Sequence, residues 1–459
     1  MVKIIPTIKF LFIGLVFLQS AAADFSSAVK NYNDKNYQQA FKQFHELAKL
    51  GSQKSQLNLG LLYFNGFGVE KDINKAYAWS RIGNENEISN DRKNPIFRGI
   101  DKAVIDKQTA VLEYQKLIEK YSFKFLKKTI YPEYGYYPEM IRRVQSKSNY
   151  SILPEYPYKL RKQEITGWVT LQFDVDAKGK PRNIVAVESI PKSVFDKTAF
   201  EVFPQWEFEI KYNSQDEAIW NLNQEYTLFY GLEDIPSLNI DYYLKVKKAA
   251  VQGNHYAEYR FGMINIRQGG RLKKIGQIFE NPNVWFLKSA INGLSDAQLE
   301  IAKCILYGKY CSNNIFKGIY WLKLSAVNGN IVAKELFAKL SLQRPEMYSQ
   351  KLALQFLQST LKLSPMAAVQ FAKLLTSSQN IALRDPDKAI ELVDSLASGE
   401  YWDEVTLLEI EAAANASLGK FTKAIKKQQK ALDLAVERNI DVIAIQKNLA
   451  EYKQQMISL

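Results

Sequence analysis

Histidine is almost missing from this chain. His45 and His255 are the only two in 459 residues. Both fall in repeat contexts, one on a helix and one in a repeat turn, where a structural or solvated role is expected, and two isolated histidines cannot build a zinc site or a nucleophile triad unaided. No glycine-rich phosphate loop and no nucleophile elbow is present. The sequence therefore reads as non-enzymatic, with no cofactor, no metal and no catalytic residue expected. Proline and glycine are also sparse, at 14 and 22 residues, which argues against a long disordered spacer. Cysteine is limited to Cys304 and Cys311. An even pair this close is either a disulfide or two small buried side chains. No internal run is long and apolar enough to span a bilayer.

What is there is a globular composition, with 47% hydrophobic, 24% charged and 13% aromatic residues. The length implies two to four domains. The formal charge of +13 reads as a lysine-rich solvated surface. A basic excess in 91–150 points to anionic lipid or cell-wall polymer, and without a nucleic-acid motif it does not point to nucleic acid. At the start, Lys3 and Lys9 precede an apolar run and then Ala21, Ala22 and Ala23. That pattern predicts a cleavable secretory leader over 1–23, no transmembrane segment in the mature chain, and a periplasmic location.

The one long stretch that does not read as helix is 153–208. Val169, Leu171, Phe173 and Val175 alternate with Thr170, Gln172 and Asp174, which is a half-buried strand. Residues 176–180 form a polar turn in which Gly179 is free to take positive φ. Residues 184–187 are a second strand, and 193–206 space Phe195, Ala199 and Trp206 at helical intervals. The run 225–230 reads as a closing strand, so this is a small α+β unit.

Tyr156-Pro157, Gly167, Asp176, Gly179, Ser189, Phe195-Asp196, Ala199 and Trp206-Glu207-Phe208 fall in an order and spacing that resembles the TonB C-terminal domain. Pro204 departs from that pattern and is expected to shorten the helix. The resemblance implies a periplasmic domain that adds an extended peptide of an outer-membrane receptor to a sheet edge. Carried onto this chain, the partner-binding residues are Glu155, Tyr156 and Pro157, within the stretch 153–157, and Glu225, Tyr226, Thr227, Leu228, Phe229 and Tyr230. Energy transducers of that family have a membrane anchor and a proline-rich spacer. This chain has a cleavable leader and no such spacer, so energy coupling by the chain alone is not implied.

Around this unit the sequence repeats itself. Residues 51–83 read as a helix pair, with a glycine turn at Gly66 and Gly68 and Asp72 capping the second helix. Gly51, Gln56, Leu59, Gly60, Tyr63, Gly66, Gly68, Val69, Asp72, Lys75, Ala76 and Trp79 resemble a Sel1-like repeat. The pattern returns around Trp285 and Trp321. Alanine-rich residues 412–416 with Gly419 resemble a tetratricopeptide repeat. Aligning the Sel1-like units places Cys304 on a first helix and Cys311 where Val69 folds back, which favours the disulfide. Gly68 is replaced there by Tyr310, and 265–283 reads as an enlarged loop.

The expected fold is mostly α with one α+β insert: an α-solenoid of Sel1-like and tetratricopeptide helix pairs flanking a TonB C-terminal-like domain. The expected limits are a leader over 1–23, a Sel1-like unit over 24–90, a helical linker over 91–145, the TonB-like domain over 146–235, Sel1-like repeats over 236–343 and tetratricopeptide-like repeats over 344–459. The expected function is a periplasmic protein-interaction scaffold that binds an outer-membrane receptor or another envelope protein by strand addition, with a link to TonB-dependent transport. The alternative is a structural assembly or adaptor factor of envelope complexes acting through its repeats.

Overall fold

A computed structural model describes residues 23–85, 94–134, 148–150, 154–162, 167–190, 193–212, 218–219, 221–230, 240–274, 281–308, 310–361, 364–397, 404–438, 440, 442 and 443–458. Residues 1–22 of the expected leader and Leu153 lie outside them. The chain divides into two compact units, 1–125 and 126–459. No described helix is long and apolar enough to cross a membrane.

The first unit is built from α1 (Phe25–Asn33), α2 (Tyr37–Lys49), α3 (Gln53–Asn65), α4 (Ile73–Glu85), α5 (Pro95–Ala103) and α6 (Lys107–Tyr121). Polar caps start several of these helices. Ser52 accepts from Ser55 N, and Asp106 from Thr109 N. Helices α3 and α4 are the Sel1-like pair, and Gly60 sets how closely they approach. A Cβ there would lie 2.9 Å from Ser80 Cβ and 3.0 Å from Ala76 O. Ala40, Phe44, Leu59, Leu62, Trp79 and Ile82 fill the core, with Tyr114, Leu117 and Tyr121 of α6 packed on it. Within the expected helical linker, residues 95–121 are two helices broken at 104–106, where Asp106 caps the second. Both are part of this unit, since Ile100, Val104 and Ala110 are buried beside Ala76 and Tyr77.

α7 (Phe123–Thr129) spans the division. The second unit then holds the α+β insert. Its elements are β1 (Ser148–Tyr150), α8 (Tyr158–Lys162), β2 (Gly167–Val175), β3 (Pro181–Ile190), α9 (Asp196–Val202), β4 (Glu207–Phe208), β5 (Lys211–Tyr212), β6 (Ala218–Ile219) and β7 (Asn221–Tyr230). The main sheet is antiparallel in the order β3-β2-β7, with β1–β4 and β5–β6 as separate short pairs. α9 ends at Val202 and continues as a 3-10 turn over Phe203–Gln205, as the missing N–H of Pro204 dictates.

Repeats follow as α10 (Ile240–Val251), α11 (His255–Lys274), α12 (Pro282–Ile291), α13 (Ser295–Tyr307), α14 (Ile315–Val327), α15 (Ile331–Gln343), α16 (Gln350–Gln358), α17 (Pro365–Ser377), α18 (Pro386–Leu396), α19 (Glu404–Ser417), α20 (Phe421–Glu437) and α21 (Ile443–Ile457). One continuous core runs through them from Tyr243 and Phe261 to Ala414, with Trp285, Trp321, Phe337 and Tyr348 inside it. The expected loop at 265–283 is largely helix, because α11 continues through Gly269 and Gly270 to Lys274.

Candidate functional site

The α+β insert has its own core. Val169, Leu171, Phe173 and Val175 of β2 pack with Phe195, Phe203, Trp206, Phe208, Leu228 and Tyr230. The alternation in β2 produces this face, as expected from its period of two. The opposite face is not solvated along its whole length. Trp168 and Thr170 are buried, and Trp168 joins the core of the repeats, not that of the insert.

The hairpin between β2 and β3 is fixed by one carboxylate. Asp176 Oδ1 accepts from the backbone N–H groups of Lys178 and Lys180, both at 2.9 Å, and Arg182 Nε donates to Oδ2 at 2.9 Å. Gly179 sits at φ +78°, and its carbonyl accepts from Phe208 N at 2.8 Å. A side chain there would meet Phe208 O at 2.6 Å, so only glycine permits the hairpin tip to dock on β4.

β7 is an edge strand. It pairs with β2 from Gly167↔Tyr230 to Val175↔Asn221, and no other strand pairs with it among the described residues. The side chains expected to bind a partner are mostly committed elsewhere. Leu228 and Tyr230 are core residues. Thr227 is buried on the opposite face, its hydroxyl 3.0 Å from that of Thr170. Tyr226 is half-buried against Trp206, ring centroids 4.9 Å apart. The side chains of Glu225 and Phe229 lie outside the described set. Among the described residues the outer side of β7 is thus a main-chain edge, of the kind whose N–H and C=O groups can template another strand.

Tyr156 also serves the core. Its ring lies 5.7 Å from Phe195 and 6.2 Å from Tyr230, while Phe195 stacks on Tyr230 at 4.2 Å. Tyr230 OH donates to Phe195 O at 3.3 Å and accepts from Thr198 Oγ1. Burial pushes the Tyr230 phenol up to about 12. Glu155 is exposed, and Pro157 O accepts from Leu160 N at the start of α8. Residues 154–157 form no strand pairing among the described residues, and Tyr156 braces the end of β7 at Tyr230.

The structure joins Cys304 and Cys311 in a disulfide, with Cα atoms 6.0 Å apart, linking α13 to the loop before α14. His45 stacks beside Phe41 at 5.8 Å and meets Trp79 edge-on at 5.9 Å. His255 is buried, and its carbonyl accepts from Ser289 Oγ at 2.7 Å. No group of three or more metal-ligating side chains occurs among the described residues.

Sequence reasoning missed a second constellation. Segment 126–134 lies across α12 and α14 like a strap. Lys317 Nζ donates to Lys127 O, Tyr131 O and Glu133 Oε1 at 3.0, 3.1 and 3.0 Å. Trp321 Nε1 donates to Ile130 O at 2.7 Å, Ser312 N to Glu133 O at 2.8 Å, and Tyr134 OH to Asn283 O at 2.9 Å. The signal was present in the repeat itself. Lys75 and Trp79 hold the same places in α4, but there Lys75 pairs with its own cap Asp72 at 3.0 Å. In α14 the cap is Asn314, which is neutral and leaves the lysine to the strap.

The comparisons follow this division. Residues 153–228 match the family model described as Gram-negative bacterial TonB protein C-terminal. Residues 53–84 and 295–330 match the Sel1 repeat. No curated protein matches the chain. Among solved structures, a Sel1 repeat protein from Oxalobacter formigenes is similar at 12% identity and a TM-score of 0.30, covering 82% of this chain and 100% of that one. A protective antigen present in uropathogenic Escherichia coli strains, displaying an SLR fold, is similar at 16% identity and a TM-score of 0.29, covering 95% of this chain and 83% of that one. This chain thus carries a TonB C-terminal segment at 153–228 among Sel1-type helical repeats.

Proposed function

We propose that this chain is a protein-interaction scaffold of the Gram-negative cell envelope whose TonB-like domain takes an extended segment of a partner along β7. The observation that carries this reading is an edge strand of ten residues, Asn221–Tyr230, hydrogen-bonded on one side only among the described residues. Strand addition needs main-chain groups and no reactive side chain. It therefore fits an edge whose Leu228, Thr227 and Tyr230 side chains are already used inside. The partner is an outer-membrane receptor or another envelope protein, the chain works in the periplasm after removal of residues 1–23, and the binding has a part in TonB-dependent transport. The repeats over 236–343 and 344–459 hold the domain over 146–235 in place for that encounter.

A second reading has its own support. Phe316 on α14 is 77% exposed and Tyr307 at the end of α13 is 61% exposed, and exposed aromatics are among the residues enriched where partners bind. Under that reading the repeats are the docking surface of an assembly or adaptor factor.

Site-specific photo-crosslinking separates the two. A photoreactive residue replaces Gln224 on β7 in one variant and Phe316 in another, each in the full chain expressed in a Gram-negative periplasm. Strand addition predicts a discrete protein adduct from position 224. Adducts from 316 alone would overturn it in favour of the repeats.

A further inference from the structure

The disulfide and the strap meet in one loop. Cys311 is followed directly by Ser312, whose N–H donates to Glu133 O. It is preceded by Tyr310, a non-glycine residue held at φ +64°. In the first unit the same place is Gly68 at φ +71°, with Val69 where Cys311 stands and no bridge. Glycine adopts that backbone freely, whereas a tyrosine is disfavoured there by about 1 kcal/mol. The bridged loop is thus held in a conformation its own sequence opposes, and that conformation presents Ser312 N to the strap.

We propose that the Cys304–Cys311 disulfide is a redox lock on the strap: oxidised, it seats segment 126–134 firmly on α14, and reduced, it frees the Glu133 carbonyl and loosens that segment. The reductant is a dithiol. One of its thiolates attacks a sulfur of the bridge, giving a mixed disulfide and one free cysteine thiolate. Its second thiol then displaces the other cysteine. Two electrons and two protons pass to the cysteine pair, and the dithiol leaves as its own disulfide. Tyr310 then relaxes out of the left-handed region and Ser312 N withdraws from Glu133 O. The far end of the loop stays in place, because Asn314 N still donates to Ile305 O. Release is local. Lys317 still holds the carbonyls of Lys127 and Tyr131 and the Glu133 carboxylate, Trp321 holds Ile130 O, and Tyr134 OH reaches Asn283 O, so the strap is loosened and not detached. The strap is the stretch through which the chain enters the TonB-like domain, so the lock controls how firmly that domain's entry is anchored to the repeats.

Limited trypsin digestion of the full chain tests this, because Lys127 and Lys128 are exposed on α7 and are cleaved only when it opens. With the dithiol dithiothreitol, cleavage after these lysines is expected to become about tenfold faster than in the oxidised chain, with the rest of the digest unchanged. The Cys304→Ser/Cys311→Ser variant should show the fast rate with or without dithiothreitol. Lys317→Met should be fast in both states while keeping the wild-type far-UV circular dichroism. Equal rates in oxidised and reduced chains overturn the proposal. So does reduction that speeds cleavage everywhere and lowers helicity, since the bond would then be a general staple of the fold.

Discussion

Replacing Lys317 by methionine isolates what the buried lysine contributes. Its side chain is only 6% exposed, and its three acceptors are two strap carbonyls and the Glu133 carboxylate. Methionine keeps most of the apolar stem, so packing changes little. What is lost is the hydrogen bonding. A buried acceptor left without a donor costs about 1–3 kcal/mol, and Tyr131 O loses its donor, while Lys127 O lies on an exposed residue and regains water. Glu133 is 60% exposed and regains water, so its share is at most about 0.5 kcal/mol. Lys317→Met should therefore destabilise the second unit by about 2 kcal/mol, while Glu133→Gln should cost less than about 0.5 kcal/mol. The internal control is Lys75→Met, which breaks an exposed pair and should also fall below about 0.5 kcal/mol. Urea denaturation followed by far-UV circular dichroism measures all three. Refutation would be a Glu133→Gln cost equal to that of Lys317→Met, because the ion pair and not the carbonyls would then hold the strap.

Other outcomes follow from the insert. Gly179→Ala forces a left-handed alanine and a Cβ 2.6 Å from Phe208 O, and should destabilise the insert by about 2–3 kcal/mol in chemical denaturation followed by tryptophan fluorescence. Buried phenols predict loss of stability at high pH. Tyr114, Tyr230 and Tyr452 are each pushed up to about 12, chiefly by burial. Their folded values lie above the ordinary value near 10, so the stabilisation is complete below about pH 10 and is lost as pH rises towards 12. A pH titration of the melting temperature checks this, and Tyr230→Phe should flatten part of the fall.

Local patterns in the sequence were enough for most of the elements. The alternation of Val169, Leu171, Phe173 and Val175 marks β2 and its core face. Asp176 and Gly179 mark the turn, and the glycines and caps of 51–83 mark the helix pair. What was hidden depends on distant partners. Nothing near Trp168 says that it packs into the repeats. Lys317 reads as a solvated lysine until segment 126–134 is laid over it. β4, β5 and β6 are two residues each, too short to carry any period. Tyr156 and Leu228 carry the family pattern and also pack in the insert's core, because a motif records which residues recur without separating those that build the core from those that meet a partner.

Amide hydrogen exchange of the free chain tests the open β7 edge most directly. β2 is paired on both sides over 168–172, so its amides there should be protected. In an antiparallel edge strand, successive N–H groups point alternately to the neighbour and outward. Residues 221–230 should therefore alternate between slow amides facing β2 and fast amides facing out. Uniform protection along β7, as slow as β2, would mean that the edge is already covered, and would contradict strand addition.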